Sequence, residues 1–123
     1  MQPHDSLLLF VYGTLKRGER NHHILQHAIY HGCYHTASNY LLVELGSYPG
    51  MIEKSYEGQS IQGELFEIPC SLLSELDKIE DAPNLFYLEP ITLANGSKAF
   101  AYLYKQSTKG AKILSKGIWS TAN

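Results

Sequence analysis

Five consecutive apolar residues, Leu7 to Val11, run into Tyr12-Gly13-Thr14-Leu15 before the first charges of that stretch at Lys16 and Arg17. An unbroken run of that length predicts a strand buried on both faces. Ala37–Leu45 and Ile61–Ile68 read as two more strands, and Gly63 inside the second predicts a bulge or a close backbone approach. Between them, Gly46-Ser47-Tyr48-Pro49-Gly50 forms a turn cluster and Glu53–Gln59 a polar loop. The helical period appears clearly over Ser71–Glu80, where Leu72, Leu73, Leu76 and Ile79 make one apolar stripe; Pro83 is expected to stop it. Tyr87–Leu93 and Lys98–Tyr104 flank Asn95-Gly96, a strong hairpin signal. Asn21–Gln26 predicts a short helix with Asn21 as N-cap. From Lys105 the chain is lysine-rich with little apolar content until Ile118-Trp119, so residues 105–123 are expected to form an exposed arm.

Strands outnumber helices and one pair is a hairpin, which predicts an α+β domain with a mixed or largely antiparallel sheet, curled toward a barrel. At 123 residues the whole chain, 1–123, is expected to be one domain with a proper core. A net charge of −2 gives no broad attraction to nucleic acid or to an anionic membrane. Leu7–Val11 is too short for a signal h-region or a membrane span, and no basic segment precedes it, which predicts a cytoplasmic protein. Cys33 and Cys70 stand in no metal or redox spacing and read as two buried thiols.

Several familiar chemistries are excluded by the residues beside each motif. Gly13 and Gly18 have P-loop separation, but Glu19-Arg20 replace the Lys-Ser/Thr that would hold phosphate and metal. His23, His27, His31 and His35 recur every four residues, yet Gly32 breaks the segment and no carboxylate completes a ligand set, so no metal site is expected. Neither cysteine comes with a histidine partner for a thiol nucleophile. Glu80 is more promising. It sits where the helix ends, beside Asp77 and Asp81, in LDKIEDAP. The helix dipole, the two like charges and any burial would all raise its pKa. A raised carboxylate suits a general base that must also return a proton near neutral pH. Acidic residues at a helix end are otherwise an ordinary solvated face, and Leu7–Leu15 alone is equally an ordinary strand with a glycine turn.

FVYGTLKRG near the N-terminus, GELFEI in the middle and LDKIEDAP further on resemble the gamma-glutamylcyclotransferase-like family. The likeness is strongest to its gamma-glutamylamine cyclotransferase branch, whose loop reads YGTLKRG followed by Asn-His, as Asn21-His22 do here. It extends from Leu8 to about Tyr104. Pro69, where relatives often carry Asp, and the tail after Tyr104 depart from the pattern. No tryptophan stands close behind YGTL, unlike the glutathione-degrading relatives, whose loop resembles YGSL.

The resemblance implies a small mixed, partly closed β-barrel with a few flanking helices and a pocket at the end of the first strand. It implies that Tyr12, Gly13, Thr14 and Leu15 bind the α-carboxylate of a small γ-glutamyl substrate through backbone N–H groups, with Glu80 as the catalytic acid/base. The products would be 5-oxoproline and a free amine, formed without metal or cofactor. Tyr12, Tyr48, Tyr87, Tyr102 and Tyr104 are candidates for the pocket wall. The alternative is a non-catalytic module that keeps the carboxylate-binding loop; such a module has no use for Glu80.

Overall fold

The computed structural model describes residue 2 and residues 5–121. In chain order the elements are β1 (Ser6–Val11), a 3-10 turn (His22–Leu25), β2 (Ile29–His35), β3 (Tyr40–Glu44), β4 (Pro49–Glu53) and β5 (Gln62–Pro69). A second 3-10 turn (Cys70–Leu72) leads into α1 (Leu73–Ile79), followed by β6 (Phe86–Thr92), β7 (Lys98–Tyr104) and β8 (Lys112–Ile113). The strands form a five-stranded sheet, β2-β5-β1-β7-β6, and a three-stranded sheet, β4-β3-β8. The first is mixed, since β1 pairs antiparallel with β5 and parallel with β7.

The apolar run of β1 is explained by this central place. Leu7, Leu9 and Val11 pack into one cluster with Phe66, Ile68, Leu76 and Tyr102. Phe10 faces a second cluster, with Leu42 and Met51 of the small sheet and Leu65, Ala101 and Leu103 of the large one. Both faces are therefore covered, and each fully buried large side chain contributes roughly 1.5–3 kcal/mol. Gly63 is a close-approach glycine, as expected: a Cβ there would lie 2.3 Å from the Val11 carbonyl oxygen. The register irregularity lies instead in β2, between Tyr30 and Gly32.

The partly closed barrel is not formed. Among the described residues no continuous ladder joins the two sheets, and outside the strands there are only the bridges Thr36–Leu93 and Tyr40–Gln59. The break is a corner at Thr36, just after β2. Its N–H donates to the Ile61 carbonyl at 2.9 Å, and its hydroxyl accepts from the Ile61 N–H at 2.9 Å. The chain then enters β3 of the second sheet, which packs on the first. The α+β class stands; closure does not.

Local expectations fail where tertiary contacts intervene. The helix expected over Asn21–Gln26 is a four-residue 3-10 turn, and the Asn21 side chain makes no cap hydrogen bond. His31 and His35 lie on β2, so the four histidines share no helix face. Pro49 and Gly50 belong to β4, and Gly46, with φ 98°, makes the turn before it. Cys33 is exposed on β2 rather than buried, and Cys70 is half-buried. Among the described residues no helix is long and apolar enough to cross a membrane.

The segment after Tyr104, described to residue 121, is largely exposed, as expected, but it is held to the fold and is not a free arm. β8 pairs with β3, the Leu114 N–H donates to the Leu42 carbonyl at 2.8 Å, and Trp119 is buried in the shared core. One large aromatic outweighs the polar residues around it, because burying it removes far more apolar surface than any lysine here exposes. Trp119→Ala should therefore lower stability by about 3–5 kcal/mol in urea denaturation. A change within about 0.5 kcal/mol, the usual range for surface positions, would mean that the tail contributes nothing to the fold.

Candidate active site

At the end of β1 the chain enters a loop that folds back on itself. The Lys16 N–H donates to the Gly13 carbonyl at 3.1 Å, and the Asn21 N–H to the Thr14 carbonyl at 2.9 Å. The Asn21 side-chain amide donates to the Thr14 hydroxyl at 3.1 Å, and His22 donates from Nδ1 to the Leu15 carbonyl at 2.9 Å. Asn21 thus braces the loop instead of capping a helix. From outside, Glu64 of β5 accepts the Arg17 N–H at 2.8 Å and pairs with its guanidinium at 3.4 Å. Lys16 Nζ donates to the Trp119 carbonyl. Among the described residues, no acceptor satisfies the N–H groups of Gly13, Thr14 and Leu15. Gly13 is required by space rather than by φ: a Cβ there would lie 2.8 Å from the Pro49 ring.

Glu80 reaches the same place from the other side. It is the C-cap of α1, and Asp81 takes the left-handed conformation at φ 50°. The Asp81 N–H bonds back to the Lys78 carbonyl and the Ala82 N–H to the Asp77 carbonyl, a Schellman arrangement. The helix therefore ends before Pro83 is reached. Burial pushes the Glu80 carboxyl up to about 7. The like charges of Asp77 and Asp81 are not the cause; Asp77 instead accepts the Tyr102 hydroxyl at 2.6 Å. The Tyr12 phenol is pushed up, mainly by burial and then by the Glu80 charge. It donates to the Tyr102 carbonyl at 2.5 Å and accepts the Met51 N–H at 3.2 Å. Both phenols are committed to the protein, which leaves Glu80 as the cavity's group able to exchange a proton near neutral pH.

Loop and carboxyl line one cavity of about 260 Å³. Of the residues read from the sequence, Tyr12, Gly13, Thr14, Leu15, Tyr48, Glu80 and Tyr102 line it; Tyr87 and Tyr104 do not. Strand alternation is the reason for Tyr87. Phe86 faces the cavity, so its neighbour turns to the other face and packs on the second cluster. Tyr104, directly opposite Phe86 in the ladder, is covered by that ring edge-on at 5.4 Å. Arg20, Ser47 and Phe86 line the cavity without having been singled out. The phase of β6 brings Phe86 there, the fold-back of the loop brings Arg20, and the turn between β3 and β4 brings Ser47.

A family model described as gamma-glutamyl cyclotransferase, AIG2-like, matches residues 9–121. The chain belongs to this family. A Vibrio cholerae protein named provisionally as a gamma-glutamylcyclotransferase is 37% identical over 112 residues, covering 91% of this chain and 94% of that protein. Gamma-glutamylaminecyclotransferase A of Danio rerio is 32% identical, covering 91% of this chain and 76% of its own. Among solved structures, a mouse AIG2-like protein superposes with a TM-score of 0.81 at 26% identity, covering 98% of this chain and 92% of its own. In this gamma-glutamylcyclotransferase-family chain, the resemblance read from the loop and helix motifs is borne out.

Two outcomes are expected from the geometry. Gly13→Val should destabilise the fold by about 1–3 kcal/mol through overpacking against Pro49. A variant that melts as wild type does in calorimetry would show that Pro49 yields without cost.

The second outcome concerns Glu80, whose folded-state pKa is raised above its unfolded value. The native state holds this proton more tightly, so the group begins to destabilise the fold above its unfolded pKa, and the penalty is complete above about 7. Glu80→Gln should consequently be at least as stable as wild type at pH 8, with a smaller gain or none at pH 5. Thermal melts at both values check this; a Gln variant less stable at pH 8 would mark Glu80 as a structural ion-pair partner.

Proposed function

We propose that this chain is a cyclotransferase that converts a γ-glutamyl amine or γ-glutamyl amino acid to 5-oxoproline and the free amine. One observation carries the reading. Glu80, its carboxyl raised to about 7, lines the same cavity as Gly13, Thr14 and Leu15, whose backbone N–H groups no described acceptor satisfies. Such N–H groups suit a carboxylate.

With the α-carboxylate on Tyr12–Leu15, the γ-glutamyl chain folds so that its own α-amine meets its side-chain carbonyl. The substrate carries its nucleophile, so holding it folded supplies the proximity effect. Glu80 takes a proton from the α-ammonium; the freed amine attacks and the five-membered ring closes. Glu80 hands this proton to the leaving nitrogen, the amide C–N bond breaks, and Glu80 then takes the second proton from the ring nitrogen and passes it to the departing amine. Glu80 ends ionised, as it began. A carboxyl poised near neutrality can both accept and return these protons.

Incubating the protein with γ-glutamyl-ε-lysine and with γ-glutamyl α-amino acids should release 5-oxoproline, seen by chromatography. Binding without turnover of any of them would favour a non-catalytic module. Glu80→Gln should lower the rate by about 10²–10⁴. Retention of more than about a tenth of the rate, well short of that range, would remove Glu80 from this role. In wild type, kcat/KM should rise with pH through a limb near 7, as Glu80 ionises. A limb at the ordinary glutamate value, about 4.3, would contradict the assignment.

A further inference from the structure

Charge is scarce around the cavity: apart from phenols, only Arg20 and Glu80 among its lining residues carry ionisable side chains. Arg20 is exposed and therefore stands at the mouth. Its position is set by the fold-back of the next two residues, Asn21 onto Thr14 and His22 onto Leu15. Nη1 of Arg20 donates to the Ser47 carbonyl at 2.8 Å. Among the described residues no carboxylate pairs with it; that of the adjacent Glu19 accepts the Ser120 and Thr121 hydroxyls instead. A guanidinium presents five N–H donors in a planar fork, so most of those on Arg20 remain for a ligand. Ile79, exposed, and Leu85, half-buried, line the same cavity and supply apolar surface.

With the γ-glutamyl carboxylate on the loop and its amine at Glu80, the leaving group extends toward this mouth. We propose, resting on that reading of the site, that Arg20 is a specificity-determining residue that binds a carboxylate on the leaving group. The chain then prefers γ-glutamyl amides of α-amino acids to those of plain alkylamines. Arg matches a carboxylate with two parallel N–H donors, which a neutral amide side chain cannot replace. The same charge disfavours diamine leaving groups. Their second ammonium would meet Arg20, and the cavity offers it no carboxylate except Glu80.

The test uses a matched pair, γ-glutamyl-leucine and γ-glutamyl-3-methylbutylamide, which differ only by the leaving-group carboxylate. Wild type should favour the leucine compound in kcat/KM by about tenfold, the lower end for a hydrogen bond to a charged group at an accessible site. Arg20→Gln should bring that ratio close to one, and Arg20→Lys should leave it in between, with folding of both variants checked by circular dichroism. A wild-type ratio near one, or a preference that survives in Arg20→Gln, would overturn the inference. So would an equal loss on both substrates, which would place Arg20 on the glutamyl half. Absence of 5-oxoproline from both compounds and from γ-glutamyl-ε-lysine with wild type would instead overturn the proposed reaction, and the inference with it; turnover of γ-glutamyl-ε-lysine alone would overturn the inference and leave the reaction standing.

Discussion

Strand β1 is hydrogen-bonded along both edges and covered on both faces, and the remainder of the molecule is arranged to satisfy that requirement. Its alternate side chains enter two different clusters, so α1 must lie over one face and the small sheet over the other. Gly63 lets β5 approach where any side chain would meet the Val11 carbonyl. The strand's end is thereby held rigidly, and the loop after it inherits its position. A site built at the end of such a strand is more accurately placed than one on a free loop.

The loop itself is held from several directions. Internal bonds from Asn21 and His22 fix its shape, Glu64 fixes it to the large sheet, and Lys16 fixes it to the tail. Trp119 thus links core and site: its ring is buried in the core cluster while its carbonyl accepts from Lys16. Among the described residues, the N–H groups of Gly13, Thr14 and Leu15 have no protein acceptor. Such unsatisfied donors have a cost, which natural proteins tolerate mainly at functional sites.

The opposite wall carries a similar cost in charge. Glu80 is placed by a Schellman ending whose left-handed residue is Asp81, a non-glycine residue in a conformation few side chains adopt readily. Asp77 accepts the Tyr102 hydroxyl, and the Tyr12 phenol is held between two backbone groups. Burial supplies the raised pKa without any like-charge partner.

What the sequence determined by itself is what depends on neighbours along the chain. The unbroken run Leu7–Val11 required a doubly buried strand, Asn95-Gly96 required the β6–β7 hairpin, and the leucine stripe required α1. The loop and helix motifs were sufficient to name the family. Tertiary structure alone decided whatever depends on phase or on distant contacts. Whether Phe86 or Tyr87 faced the cavity turned on the register of β6, because one residue of slip exchanges the two faces. Asn21, with every local attribute of a cap, was claimed by Thr14 seven residues back. Trp119 anchored a polar and largely exposed tail on the core, since one buried aromatic suffices to hold its solvated neighbours in place. The corner at Thr36 divided one expected barrel into two packed sheets, through hydrogen bonds to Ile61 that no local pattern announces.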